Sequence, residues 1–136
     1  MSDTPADRRY TRDHEWVKVA EDGSVTVGIT RFAADALGDI VYVDYSADAL
    51  AKRFISRGGV IAVVESTKSL SDVYSPVTGV VTVANRELED EPGQVNDDPY
   101  AAWLVTIEDV SGEDIDRAET MSAEEYDAYT GGASDR

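Results

Sequence analysis

Apolar positions along the chain fall into short runs bounded by Gly, Pro, Asp and Asn, the pattern of a mainly β domain. Trp16, Val17 and Val19 open the first strand, and Asp22-Gly23 supplies a turn signal. Residues 24–29 alternate and are expected to pair back as a hairpin. Thr30 is placed to cap a short helix over Arg31–Leu37, with Gly38 as its left-handed terminator. Residues 39–45 read as a strand, and 46–51 as weakly helical or loop. Phe54 and Ile55 give an apolar contact before a Gly58-Gly59 turn. The apolar run Val60-Ile61-Ala62-Val63-Val64 then climbs to a polar crest over 65–72, and a second segment descends from it to Pro76. This is expected to be a β-hairpin with Lys68 near its tip. Thr78-Gly79 turns the chain into a strand over 80–85, an acidic loop follows over 86–98 with Pro92-Gly93 at its bend, and 99–107 carries the last strand. Ser111 and Ser122 each precede an acid by three residues, Asp114 and Glu125, which predicts two capped helices. The runs Ile40-Val41-Tyr42-Val43 and Val80-Val81-Thr82-Val83 each follow a turn glycine, a faint sign that one turn–strand unit is used twice.

A length of 136 residues fits a single domain, expected over 10–129 between polar tails at 1–9, taken as disordered, and 130–136. No run approaches the ~18 apolar residues of a membrane span, and residues 1–9 carry no secretory apolar core, so a cytoplasmic location is expected. Twenty-eight acids against 12 bases give a net charge of −16, which disfavours nucleic acid or an anionic membrane as partner. An acidic surface kept soluble in a salt-rich cytosol and an acidic face that steers a basic partner both fit this balance.

Charge and residue inventory narrow the chemistry. The absence of cysteine excludes disulfides, thiolate nucleophiles and Cys-based metal sites. His14 is the sole histidine, no Gly-x-Ser-x-Gly elbow is present, and no Gly-rich loop precedes a helix, so no enzyme active site is expected. His14 beside Trp16 reads as structural. The acids at 87–91 and 97–98 lack the spacing of a calcium loop. Lysine is scarce: Lys18, Lys52 and Lys68 stand against nine arginines. A lysine held out on a rigid hairpin suits an amine that must be acylated, with Glu65 and Asp72 flanking it; the same residues also fit a surface lysine between acids, in weak ion pairs worth about 0–1 kcal/mol.

The stretch Val64-Glu65-Ser66-x-Lys68-x-x-Ser71-Asp72-Val73-Tyr74-Ser75-Pro76-Val77-Thr78-Gly79 resembles the lipoyl-lysine site of the glycine cleavage system H-protein family. The resemblance extends to His14-Glu15-Trp16-Val17, Val27-Gly28-Ile29-Thr30, Ala36-Leu37-Gly38-Asp39-Ile40-Val41, Leu88-x-x-Glu91-Pro92 and Val95-Asn96-x-Asp98-Pro99-Tyr100-x-x-Trp103-Leu104. It implies a lipoyl-type barrel-sandwich hybrid with a short inserted helix and C-terminal helices. It implies a carrier rather than an enzyme, with lipoate in amide linkage to Lys68. Its partners would be a pyridoxal-phosphate glycine decarboxylase that loads an aminomethyl group, a tetrahydrofolate-dependent aminomethyltransferase that unloads it, dihydrolipoamide dehydrogenase, and a lipoate-attaching enzyme. A monomer is expected of such a shuttle. Glu15, Glu65, Ser66, Ser71 and Asp72 are the candidates for the cleft that receives the loaded arm, with Glu15 and Asp72 near its amine. Three departures stand out: Thr67 and Ser69 replace the family's usual apolar neighbours of the lysine, and residues 46–56 lack its Pro and Gly turns, so this loop is expected to be remodelled. Two other carriers share the hairpin. A biotin carrier sets its lysine between methionines; a 2-oxoacid dehydrogenase lipoyl domain lacks the His-Glu-Trp start and the Pro-Tyr-x-x-Trp segment. An H-like protein used for lipoate relay or regulation also remains compatible with these motifs.

Overall fold

The computed structural model describes the backbone of residues 4–134. Its strands are β1 (Arg9–Tyr10), β2 (Glu15–Val19), β3 (Val25–Ile29), β4 (Ile40–Tyr45), β5 (Phe54–Ile55), β6 (Val60–Ser66), β7 (Leu70–Tyr74), β8 (Gly79–Ala84) and β9 (Val105–Glu108). Helical segments are α1 (Arg31–Leu37), α2 (Ala47–Leu50), α3 (Glu87–Asp90), α4 (Gln94–Asp97), α5 (Gly112–Arg117) and α6 (Ala123–Ser134). The strands form two sheets, one in the order β1-β2-β3-β9-β8-β5 and one in the order β4-β6-β7. The alternation read from the sequence becomes a shared interior: Val25, Val27, Val81, Val105 and Ile107 from the large sheet meet Val43, Tyr45, Ile61, Val64 and Val73 from the small one. All of these are buried. The architecture is mainly β, as expected. β4 and β8, the two runs with similar sequence, lie in different sheets.

A second apolar cluster is aromatic. Tyr10, Trp16 and Tyr126 pack together with Phe32, Tyr100 and Trp103 beside them. Tyr126 anchors α6: its ring stacks on Tyr10 at 4.9 Å, and its hydroxyl lies 2.8 Å from both Thr30 Oγ1 and His14 Nδ1. His14 is thereby occupied in structure. Burial, the leading effect, pushes its pKa down. The Trp16 indole donates to the Pro99 carbonyl at 2.9 Å and lies across Gly28, its partner in β3, where any Cβ would come within 2.5 Å of the ring. This close approach explains a glycine inside a strand.

Both helix caps read from serine motifs are present. Ser111 Oγ accepts from the Asp114 amide, and Ser122 and Glu125 exchange side-chain and backbone bonds as a full capping box. The 46–51 stretch forms α2, capped by Ser46.

Several expectations change. Thr4 Oγ1 donates to Asp127, Arg8 lies 4.6 Å over the Trp16 ring, and β1 pairs with β2. The stretch taken as a disordered tail thus sits against the fold from Thr4 onward, because Arg8 and Tyr10 have aromatic surface to cover. The expectation for residues 1–3 lies outside the described residues. α6 runs on to Ser134, through most of the 130–136 stretch taken as a tail; residues 135–136 lie outside the described residues. The acidic 86–98 loop contains α3 and α4, pinned by buried Leu88 and Val95. Of 99–107 only the part from Val105 is strand, since Pro99 and the following turn carry the chain around Trp16. Among the described residues no helix is long and apolar enough to cross a membrane.

Candidate functional site

Lys68 occupies the crest of the β6–β7 hairpin and is exposed. The crest is rigid for a local reason. Ser66, buried at the end of β6, accepts from the amides of Lys68 and Ser69 at 3.3 and 3.0 Å through its Oγ, while its own amide donates to the Ser69 carbonyl at 2.8 Å. These contacts close a tight turn without glycine. Ser66, a candidate for the arm's cleft, instead builds the turn that aims the lysine.

A shelf supports the crest from below. The Thr67 amide donates to the Asp39 carbonyl at 3.2 Å. Gly38, beside it, has φ 84° and ψ −152°, a region open essentially to glycine alone; the expected left-handed terminator is therefore more extended than a helix-type cap. The Lys68 stem lies over this glycine, with Cε 3.4 Å from where a Cβ would stand. Asn96 holds the shelf from both sides, accepting from the Ile40 amide at 2.9 Å and donating to the Gly38 carbonyl at 2.8 Å. Its part was hidden in the sequence, since α4 meets the α1–β4 turn only in the fold. Asn96 was legible solely as a member of a motif, and Gly38 also as the terminator of α1.

Glu15 is almost wholly buried. Oε2 accepts from the Tyr74 amide at 2.7 Å, and Oε1 accepts from Thr11 Oγ1 at 3.3 Å. β7 is the edge of the small sheet, so Glu15 on β2 satisfies an edge N–H and ties the two sheets together. Burial drives its pKa up to about 8, against the opposing bond from Tyr74; Asp13 adds to the rise. Glu15 stands between two concavities. One is a groove of about 270 Å³ also bordered by Arg12, Arg57, Tyr74 and Glu119. The other is a crease of about 20 Å³ beneath the hairpin, floored by Ile29, Ala33, Leu37, Val64 and Val73, with Asp13, Ser71 and Asp72 also lining it. An open cleft of about 550 Å³ adjoins this crease along Arg12, His14, Leu70, Ser71 and Asp72.

The fold therefore gathers Glu15, Ser71 and Asp72 around one crease and leaves out two candidates. Ser66 belongs to the turn. Glu65 pairs with Tyr42 on one side and Leu70 on the other, and strand alternation turns its side chain outward, opposite to Val64 and Ser71. Neither Glu65 nor Asp72 forms an ion pair with Lys68; none of the pairs among the described residues includes it. Among the described residues no cluster of acids and histidine suits a metal ion.

This geometry has known counterparts. The family model described as "Glycine cleavage H-protein" matches residues 8–132. The chain belongs to the glycine cleavage H-protein family. A curated glycine cleavage system H protein of Thiobacillus denitrificans is 50% identical over 112 residues, covering 82% of this chain and 84% of the relative. That of Coprothermobacter proteolyticus is 49% identical over 126 residues, covering 90% and 94%. The crystal structure of a glycine cleavage system H protein from Mycobacterium marinum superposes with a TM-score of 0.80 at 37% identity, covering 93% of this chain and 98% of that one. The mainly β fold inferred from the motifs is thus shared with a solved relative, consistent with the barrel-sandwich class.

Proposed function

We propose that this H-family chain is the lipoyl carrier of glycine cleavage, with Lys68 the attachment point. The observation that carries the reading is the exposed lysine on a hairpin whose turn is closed by Ser66 and whose base rests on Gly38 and Asp39. A rigid base with a free side chain gives a covalently attached arm a defined origin and a wide reach. Lipoate, when bound, supplies a dithiolane that accepts a one-carbon amine and is reduced in doing so. The chain contributes no cysteine to exchange with that dithiol.

The lining of the neighbouring crease suits the chemistry of such an arm, and the adjoining cleft of about 550 Å³ supplies the room for it. The floor of the crease is apolar, as the hydrocarbon of the arm requires, and Glu15, Asp13 and Asp72 give it acid neighbours. A primary amine is cationic at neutral pH. As it approaches Glu15, it favours the ionised carboxyl that burial otherwise disfavours, so proton loss from Glu15 accompanies docking of a cationic load. Ser71 and Asp72, in the adjoining cleft, border the entrance. Glu65 and Ser66 take no part in this pocket.

On this reading the protein visits a pyridoxal-phosphate glycine decarboxylase, a tetrahydrofolate-dependent aminomethyltransferase and dihydrolipoamide dehydrogenase, after a lipoate-attaching enzyme has modified it. It acts as a carrier, as a monomer, in the cytoplasm. Two measurements test it. Intact mass and peptide mapping of protein from its host give a lipoyl-sized increment on Lys68, absent in Lys68→Arg. The lipoylated protein supports exchange of labelled carbon dioxide with the glycine carboxyl in the presence of the decarboxylase, and Lys68→Arg does not. An unmodified Lys68 in a host that lipoylates other proteins overturns the proposal. Modification without exchange leaves the relay or regulatory role in its place.

A further inference from the structure

The outer face of the small sheet carries two rows of side chains, of which Asp72 also borders the crease and Leu70 the cleft beside it. Register places Tyr42, Glu65 and Leu70 side by side across β4, β6 and β7, and Asp44, Val63 and Asp72 in the next outward row. The intervening rows point inward. Tyr42 and Leu70 are large apolar groups left 59% and 62% exposed, on β4 and β7, the two strands that flank β6 in the small sheet. A register shift between Ile40 and Tyr42 inserts Val41 as an extra residue. Val41 is 37% exposed, so two consecutive apolar side chains face solvent where simple alternation would bury one. Asp44, Glu65 and Asp72 are the charged groups of these two rows, and all are acidic. Lys68 is the cation at the tip.

We infer that this face is the recognition surface for the enzyme that acylates Lys68, and that this enzyme presents an apolar pocket with a basic rim. The inference rests on Lys68 being the lipoylated residue. Reach selects the occupant. An enzyme that works on the far end of an attached arm meets it a full arm's length from the hairpin. The attaching enzyme must bring Nζ itself to its reacting centre, so its surface lies against the residues beside the turn. There the deprotonated Nζ attacks the carbonyl carbon of an activated acyl donor such as an acyl adenylate. The C–N bond forms, the bond to the leaving group breaks with its electron pair departing on that group, and nitrogen releases its remaining extra proton to solvent. Charge agrees with the geometry. Acids around the apolar residues attract a basic rim and repel an acidic one. The face also explains Glu65, which the crease leaves out.

The test uses the full apo-protein with the lipoate-attaching enzyme of the same host, ATP and lipoate, followed by the mass increment on Lys68. The doubly substituted Tyr42→Ala, Leu70→Ala protein is expected to lose about tenfold or more in kcat/KM, mainly through KM, as truncation of central interface residues does. Leu70→Arg, which sets a cation against a basic rim, lowers it as well and needs no loss of packing. Phe54→Ala, equally exposed at 61% but on the other sheet, leaves the rate unchanged. Glu65→Gln weakens the dependence of KM on ionic strength. Acylation of both the double variant and Leu70→Arg at the unsubstituted rate overturns the inference. So does normal acylation combined with lost glycine–carbon dioxide exchange, which assigns the face to the decarboxylase instead. If the unsubstituted protein is not acylated on Lys68, the lipoyl-lysine reading fails first and this inference with it.

Discussion

A carboxyl group at position 15 has lost nearly all its contact with water and keeps two hydrogen bonds in exchange. Its pKa near 8 stands above the usual 4.5, so between those values the folded protein holds a proton that the unfolded chain releases. Folding stability from this group therefore falls as pH rises from about 4.5 to about 8, and is flat below and above that window. The full difference is on the order of a few kcal/mol. Glu15→Gln keeps an acceptor for the Tyr74 amide and removes the ionisation. Its melting temperature should match the unsubstituted protein near pH 4 and exceed it increasingly toward pH 8; a constant offset across that range would show that Glu15 does not titrate there. The same substitution should hasten hydrolysis of the loaded arm, because the crease loses the carboxyl that ionises as the cationic load docks. Sequence alone offered Glu15 as one acid among 28, singled out by a motif. Its burial depends on Thr11 and Tyr74, the latter 59 residues away, and no local pattern reports such a contact.

At the level of elements, the hairpin was legible and its support was not. An apolar run bounded by polar residues and a second alternating run specify β6 and β7 by themselves. The shelf beneath the crest is assembled from the end of α1, the start of β4 and one side chain of α4. Asn96→Ala would strip partners from the Ile40 amide and the Gly38 carbonyl together. The expected cost is about 1–3 kcal/mol, read as a lower midpoint in urea, with slower acylation of Lys68 because the turn loses its footing. An unchanged midpoint would mean that other groups satisfy both atoms. The elements misread from sequence have physical reasons as well. Acidic composition marked 86–98 as loop, yet Leu88 and Val95 are buried and close two helical turns. Residues 99–103 look strand-like because their aromatic and apolar side chains serve the Trp16 cluster, while Pro99 gives its carbonyl to the indole instead of to a neighbouring strand.

The whole molecule carries −16 at neutral pH, spread over a small surface of 7325 Å². Acid–acid repulsion at this density opposes compaction, and its reach contracts to roughly 10 Å at 0.1 M salt. Melting temperature at pH 7 should therefore rise between 10 mM and 1 M sodium chloride, most steeply at the low end. A salt-independent value would show that the acids are arranged so that their repulsion nearly cancels.

What the sequence determined by itself is everything set by short-range pattern. Alternation gave the strands, a hydroxyl three residues before an acid gave the helix starts, and a spaced set of motifs gave the family and singled out Lys68 as the candidate attachment point. These are properties of neighbours along the chain, where sterics and hydrogen-bond geometry act over a few residues. The tertiary structure decided which side each acid faces. It turned Glu65 outward, sank Glu15 between two sheets, spent Ser66 on the turn, and set Ser71 and Asp72 at the crease. Those outcomes depend on register and on contacts between segments far apart in sequence, where a shift of one residue exchanges the two faces of a strand.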